Sequence, residues 1–234
     1  MDRTGQRSAL VVGASRGLGL GLVRELLARN WHVIATRRDE AQRTPLLDLA
    51  TEAAGRLEID TLDINRPDQI EALRVRLDGR GLDVVFVSAG VTNNPRETIG
   101  EVSTDEFTRV LVTNALGPMR VIERLSGLVR PDGVVGVMSS ELGSIGRHRG
   151  TGWDVYRASK VSLNMLMHSF AARHPDAPWS LVAIAPGWVR TDMGGPSAPL
   201  DIETSMRGVA DVLAAQHGKR GLAYLNYRGE TVPW

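Results

Sequence analysis

Ala9-Leu-Val-Val-Gly13-Ala-Ser-Arg-Gly17-Leu-Gly19 decides how the rest of the 234-residue chain reads. Four apolar residues ending at a glycine form the pattern of a parallel strand buried on both faces. Leu20, Val23, Leu26 and Leu27 follow at helical spacing. A strand, a glycine-rich turn and a helix can aim backbone N–H groups and a helix N-terminus at a pyrophosphate. Ser15, Arg16 and Leu18 lie inside that turn with Gly13, Gly17 and Gly19. The spacing is GxxxGxG rather than GxGxxG, and the competing reading is a turn that only needs glycines.

Outward from this unit, strands and helices alternate, which predicts an α/β fold with a parallel sheet. His32–Thr36 reads as the second strand, and Arg37 and Arg38 follow it directly. In such a sheet the end of the second strand meets the adenosine ribose, where an Arg suits a 2′-phosphate and an acid a 2′-hydroxyl. Asp39 is the acidic competitor, Arg16 could reach the same phosphate, and ordinary surface charge is the bland alternative. Residues 41–54 read as a helix, and 57–62 as a third strand with Asp63 and Ile64 at its carboxyl end, where ligands gather. Pro67 sits near the start of the next helix. Residues 82–88 form a fourth strand closed by Ala89-Gly90.

Ser103-Thr-Asp-Glu106 is a capping-box pattern opening a long helix that Gly117-Pro118 interrupts. Proline has no N–H, so the carbonyl of Asn114, four residues earlier, loses its helical donor and invites a water, unless the kink is harmless. Residues 133–138 form a fifth strand ending at Ser139-Ser140. A polar loop, 141–153, contains Arg147-His148-Arg149, read as a solvated tip. Tyr156 and Lys160 then stand four residues apart at the start of a helix. They share one face, so an ammonium beside the phenol would lower its pKa from about 10 and make a general acid/base. A plain surface pair is the alternative. Strands at 181–185 and 222–226, a helix at 202–216 and a loose segment from Thr191 to Pro196 complete the chain. The economical organisation is a single domain, 1–234.

Composition narrows the classes. At 42% hydrophobic residues the chain can bury a full core. A net charge of +1 gives no reason to expect nucleic acid or an anionic membrane. Cysteine is absent and the five histidines form no metal-binding spacing, so no metal is expected. The stretch Met1–Arg7 lacks a signal-peptide core, and no apolar run spans a bilayer. A cytoplasmic protein is expected.

Taken together, these residues resemble the short-chain dehydrogenase/reductase superfamily from end to end. Gly13, Gly17 and Gly19 match its glycine motif, and Ser88-Ala-Gly90 stands where the family usually has Asn-Asn-Ala-Gly. Asn114, Ser140, Tyr156 and Lys160 fall in its catalytic order, and Pro186-Gly187 with Thr191 matches its cofactor-closing segment. Ser139–Ile145, Tyr156–Lys160, Pro186–Gly195 and Leu225-Asn-Tyr227 resemble the carbonyl-reductase branch, with its sniffer-type and C-factor-like members. Val87-Ser88 departs from the Asn pair and puts that motif's sheet contacts in question. The loop before Tyr156 is longer than in most of the superfamily but suits this branch, which favours Ser140 over Ser144.

The resemblance implies a Rossmann-type doubly wound fold with a seven-stranded, mainly parallel sheet. It implies NADP(H), favoured over NAD(H), held by the glycine turn, Arg37, Asp63, Ile64, Ala89, Gly90, Pro186, Gly187, Val189 and Thr191, with Tyr156 and Lys160 touching the nicotinamide end. In that scheme Tyr156 exchanges the proton with a small carbonyl or alcohol, Ser140 binds the carbonyl oxygen, and Asn114 holds a relay water beside Lys160. A homodimer or homotetramer is expected. An NAD-dependent alcohol dehydrogenase and a nucleotide-binding signalling protein remain as alternatives, and Trp153, Trp188 and Met193 could line an apolar pocket.

Overall fold

The computed structural model describes residues 5–41 and 43–234. The expectation drawn from Met1–Arg7 falls largely on residues outside the described ones. Among the described residues, seven strands form one sheet: β1 Ser8–Val12, β2 His32–Arg37, β3 Leu57–Thr61, β4 Leu82–Val87, β5 Val129–Met138, β6 Ser180–Ala185 and β7 Leu222–Asn226. Their order is β3-β2-β1-β4-β5-β6-β7, and every neighbouring pair is parallel. Parallel strands need crossovers, and the helices that make them cover both faces of the sheet. These helices are α1 Gly17–Ala28, α2 Pro45–Glu52, α3 Pro67–Arg76, α4 Thr104–Leu111, α5 Gly117–Leu125, α6 Asp154–Arg173 and α7 Ile202–Gln216. β1 shows the consequence of a period of two. Leu10 and Val12 enter the core beneath α3, α5 and α6, while Ala9 and Val11 enter the one beneath α1, α2 and α7. Among the described residues, no helix is long and apolar enough to cross a membrane.

Several local readings change. The helix expected over 41–54 is the shorter α2, which starts at Pro45 behind Thr44; Gln42 lies outside the described residues. β5 starts at Val129, before the expected 133, because its register on β4 shifts and Arg130, Pro131 and Asp132 protrude to solvent. The turn-like Pro131-Asp132-Gly133 hides a strand that tolerates an excursion. Only half of the capping box forms: Ser103 Oγ accepts the N–H of Glu106 at 3.1 Å, while the Glu106 carboxylate takes Arg109 at 2.7 Å instead. The expected kink at Gly117-Pro118 is a π-helical turn, Val112–Leu116, in which Gly117 N–H reaches back to Val112 O. Wide turns of this kind are common at functional positions. Gly117 fits there because a Cβ would lie 2.9 Å from the Ile64 side chain.

Candidate active site

The order of the strands reverses between β1 and β4, and the carboxyl ends of both open on one edge, the usual position of a ligand crevice. Gly13 follows β1 with φ +84°, and a Cβ there would sit 2.7 Å from Ala89. At Gly19 a Cβ would meet the Gly13 carbonyl at 2.1 Å. Only backbone fits at these two positions. Arg16, at the head of α1, makes no side-chain cap, which leaves the first-turn N–H groups suited to an anion. Ser15 and Leu18 are partly buried and Arg16 is exposed. Rather than approaching Arg37, the Arg16 guanidinium pairs with Asp192 at 3.0 Å, so its expected place as a phosphate donor is already contested. Arg37 is half-buried at the end of β2, with Arg38 and Asp39 exposed beyond it. The Asp39 carboxylate turns back onto the N–H of Ala41 at 2.9 Å. One Asp63 oxygen takes the N–H of Asn65 at 2.9 Å, and Ile64 is buried against Gly117. A backbone cradle without room for side chains, an uncapped helix end and basic side chains at the end of β2 fit a dinucleotide.

Across the crevice, α6 and the loop after β5 bring Tyr156, Lys160 and Ser140 together. The Tyr156 phenol is buried and faces the Ser140 side chain, whose Oγ accepts the N–H of Leu142 at 3.2 Å. Burial pushes the Tyr156 pKa up to about 12, and the Ser140 hydroxyl beside it opposes this. The expected lowering by Lys160 is not what the structure holds. The Lys160 ammonium lies 5.6 Å from the centre of the Tyr156 ring and donates to Met138 O at 2.9 Å. Burial pulls its own pKa down to about 8. The i, i+4 spacing made the two neighbours, but desolvation, which disfavours both charged forms, outweighs their proximity. The phenol is therefore protonated at neutral pH and in the state of a proton donor.

Asn114 is fully buried in the π-turn, and its side chain is committed. Oδ1 accepts Val91 N–H at 2.8 Å, while Nδ2 donates to Val91 O at 2.8 Å and Ser159 Oγ at 3.0 Å. This clamps the strand end Ala89-Gly90 to α6. A Cβ at Gly90 would lie 3.4 Å from Asn114 Oδ1 and 3.6 Å from Lys160 Nζ. The replaced Asn pair costs the sheet little, since Ser88 and Ala89 both donate backbone N–H groups to Val12 O. Ser144, the rejected alternative to Ser140, is buried with its hydroxyl donating to Pro233 O and accepting Arg147 N–H. Arg147, His148 and Arg149 are exposed, as expected of a loop tip.

After β6, Pro186 O accepts Ser205 Oγ at 2.6 Å, and Gly187, at φ +82°, would clash with Leu200 if it carried a Cβ. Val189 is buried in a bridge to Leu200. The expected loose segment is a bonded turn: Thr191 Oγ1 accepts Gly194 N–H at 3.0 Å, Gly195 N–H goes to Thr191 O, and Trp188 Nε1 donates to Gly194 O at 2.8 Å. Trp153 stands edge-on to Tyr156 at 5.6 Å in a left-handed conformation, φ 63°. Trp188 is 56% exposed.

Three residues that sequence reasoning missed hold this site. Thr36 takes Gly13 N–H on its hydroxyl and Ala14 N–H on its carbonyl. Asn164 joins Ser139 Oγ to Gly143 O. Tyr224 donates its hydroxyl to Ser140 O. For Asn164 alone a signal existed, since it stands one turn after Lys160 on the same face.

Fold and site define the class: a Rossmann-type, nucleotide-dependent oxidoreductase. The family model for short chain dehydrogenase matches residues 7–199, and the chain belongs to that family. It is 54% identical to a Burkholderia multivorans protein assigned as a short-chain dehydrogenase/reductase and crystallised with bound NADP, over 98% of this chain and 100% of that one, with a TM-score of 0.95. A carbonyl reductase from Pseudomonas aeruginosa PAO1, solved in complex with NADP, is 36% identical over 98% and 100% of the two chains, TM-score 0.92. The Myxococcus xanthus protein named C-signal is 33% identical over 155 residues, 65% of this chain and 93% of its own. The resemblance read from the motifs is thus met in both its carbonyl-reductase and its C-factor-like aspects.

Proposed function

We propose that the protein reduces a small carbonyl compound, an aldehyde, ketone or quinone, to an alcohol at the expense of NADPH. When bound, the nicotinamide supplies the hydride. Tyr156 gives its hydroxyl proton to the substrate oxygen as the carbonyl carbon becomes tetrahedral. Ser140 hydrogen-bonds that oxygen and offsets its growing charge. Lys160 keeps a positive charge under the ring and replenishes the phenol, and Asn114 acts through its backbone, because its side chain is fully engaged. Arg37 favours the 2′-phosphate; Gly13, Ser15, Gly17, Leu18 and Gly19 hold the pyrophosphate; Asp63 and Ile64 border the adenine; Ala89, Gly90, Pro186, Gly187, Val189 and Thr191 flank the nicotinamide half. The observation that carries this reading is the buried Tyr156 facing the Ser140 side chain, with the Lys160 ammonium 5.6 Å from its ring centre. The NADP held by both structural relatives supports the cofactor.

The test is purified protein with NADPH and a panel of aldehydes, ketones and quinones. Consumption of NADPH with formation of the alcohol is expected for at least one class. Tight NADPH binding without consumption by any carbonyl would favour a nucleotide-binding signalling protein, the reading that the likeness to C-signal raises.

The same proposal includes self-association through the helices that run from Ser103, α4 with α5, and from Asp154, α6, as a homodimer or homotetramer. Leu116 and Leu166 are 40% and 38% exposed on that face, in a groove rimmed by Arg74, Arg120, Glu123 and Arg173.

A further inference from the structure

The loop that carries Ser140 is gripped by parts of the chain remote in sequence from the catalytic set, with the Tyr224 phenol beside both Ser140 and Tyr156. The Ser140 carbonyl accepts the Tyr224 hydroxyl from β7. Tyr224 is 2% exposed, and its phenol also faces the side chains of Ser139 and Asn164. β7 turns back on itself at Asn226–Glu230, so Thr231 bridges Leu225 in antiparallel fashion and Val232 N–H returns to Tyr224 O at 2.9 Å. Val232 is wholly buried. The Trp234 ring packs 4.9 Å from Tyr224 and 4.1 Å from His168 of α6. The segment then fastens the far end of the Ser140 loop: Pro233 O accepts the Ser144 hydroxyl, and Trp234 O accepts Gly146 N–H at 3.0 Å.

We propose that Tyr224 is a positioning residue for Ser140, and that Val232–Trp234 braces Tyr224 and the loop from Ser140 to Gly146 in register with Tyr156. The inference rests on the roles given above to Ser140 and Tyr156. Reactive groups work when neighbouring hydrogen bonds lock their placement, and a small misplacement costs rate rather than binding. Tyr224 touches neither the crevice of the glycine turn nor Arg37, so its loss should leave nucleotide binding alone.

The experiment is a cycle of Tyr224→Phe and Ser140→Ala, with Tyr156→Phe alongside and NADPH affinity read by fluorescence. Tyr224→Phe is expected to lower kcat about tenfold, with KM and the NADPH Kd within about twofold of wild type. In the Ser140→Ala background the same change should have almost no further effect on kcat, because it acts through a hydroxyl no longer there. Trp234→Ala should lower kcat in the same way, and Trp234→Phe should restore most of it. Unchanged kcat in Tyr224→Phe, or an equal loss with and without Ser140, overturns the inference. Full activity in Tyr156→Phe instead overturns the catalytic reading on which it rests, so the two failures are distinguishable.

Discussion

Lys160 carries a charge that the fold makes expensive, and the cost is measurable. Burial pulls its pKa from 10.5 to about 8, so the unfolded chain holds a proton that the folded one gives up between those values. Stability contributed by this residue therefore rises with pH from about 8 to 10.5, and below that window the full penalty applies. At ~1.4 kcal/mol per pKa unit, less ~1–2 kcal/mol for the hydrogen bond to Met138 O, Lys160→Met should be about 1.5–2.5 kcal/mol more stable at pH 7. The advantage should fade towards pH 10, as urea melts at several pH values would show, while turnover is lost. Greater stability of the wild type at pH 7 would contradict the burial argument. At Arg37 the prediction concerns cofactor choice. A charge-assisted hydrogen bond to a 2′-phosphate contributes roughly 1.5–3 kcal/mol, so Arg37→Ala should weaken NADPH binding about ten- to a hundredfold and leave NADH binding almost unchanged. A wild-type preference for NADH above tenfold, in kcat/KM, would hand the ribose to Asp39. Tyr156, Lys160 and Ser140 were legible as residues because helical spacing and motif order are local. Their ionisation was not, because it depends on burial, which i, i+4 spacing does not encode.

Among the elements, the interrupted helix ties sequence to chemistry most closely. Gly117-Pro118 signalled an irregularity, and its form is a π-turn around Asn114 beside which Gly117 packs on Ile64. Pro118→Ala supplies an N–H to this turn and favours regular helix. Its melting temperature should hold or rise while kcat falls several-fold; equal kcat in both proteins would make the turn purely structural. Most strands were legible for a simple reason: each is an apolar run bounded by glycine or polar residues, whereas β3, Leu-Glu-Ile-Asp-Thr, alternates. β5 was read short where Pro131 and Gly133 mimic a turn. The hydrogen bonds of Thr36 and Tyr224 were illegible, since each joins segments far apart in sequence, and for Asn164 only its place one turn after Lys160 gave a signal.

For the whole molecule, the parallel order with its reversal between β1 and β4 sets the crevice, and the helices on one face leave Leu116 and Leu166 exposed. Leu116→Arg with Leu166→Arg should turn the proposed oligomer into a monomer by light scattering, with the fold retained; a wild-type monomer at micromolar concentration would refute that association. Alternation of strand and helix made this architecture legible from the first βα unit onward, whereas substrate choice depends on side chains such as Trp153 and Trp188, whose placement only the folded chain defines. The account rests most directly on the Tyr156 proton. With a carbonyl substrate on which deuterium at the nicotinamide slows wild-type turnover, so that chemistry limits the rate, kcat is compared for wild type and Tyr156→Phe. Loss of the proton donor should lower kcat about 10²–10⁴-fold, with NADPH affinity within about twofold. A Tyr156→Phe protein that turns over at close to the wild-type rate would contradict the mechanism.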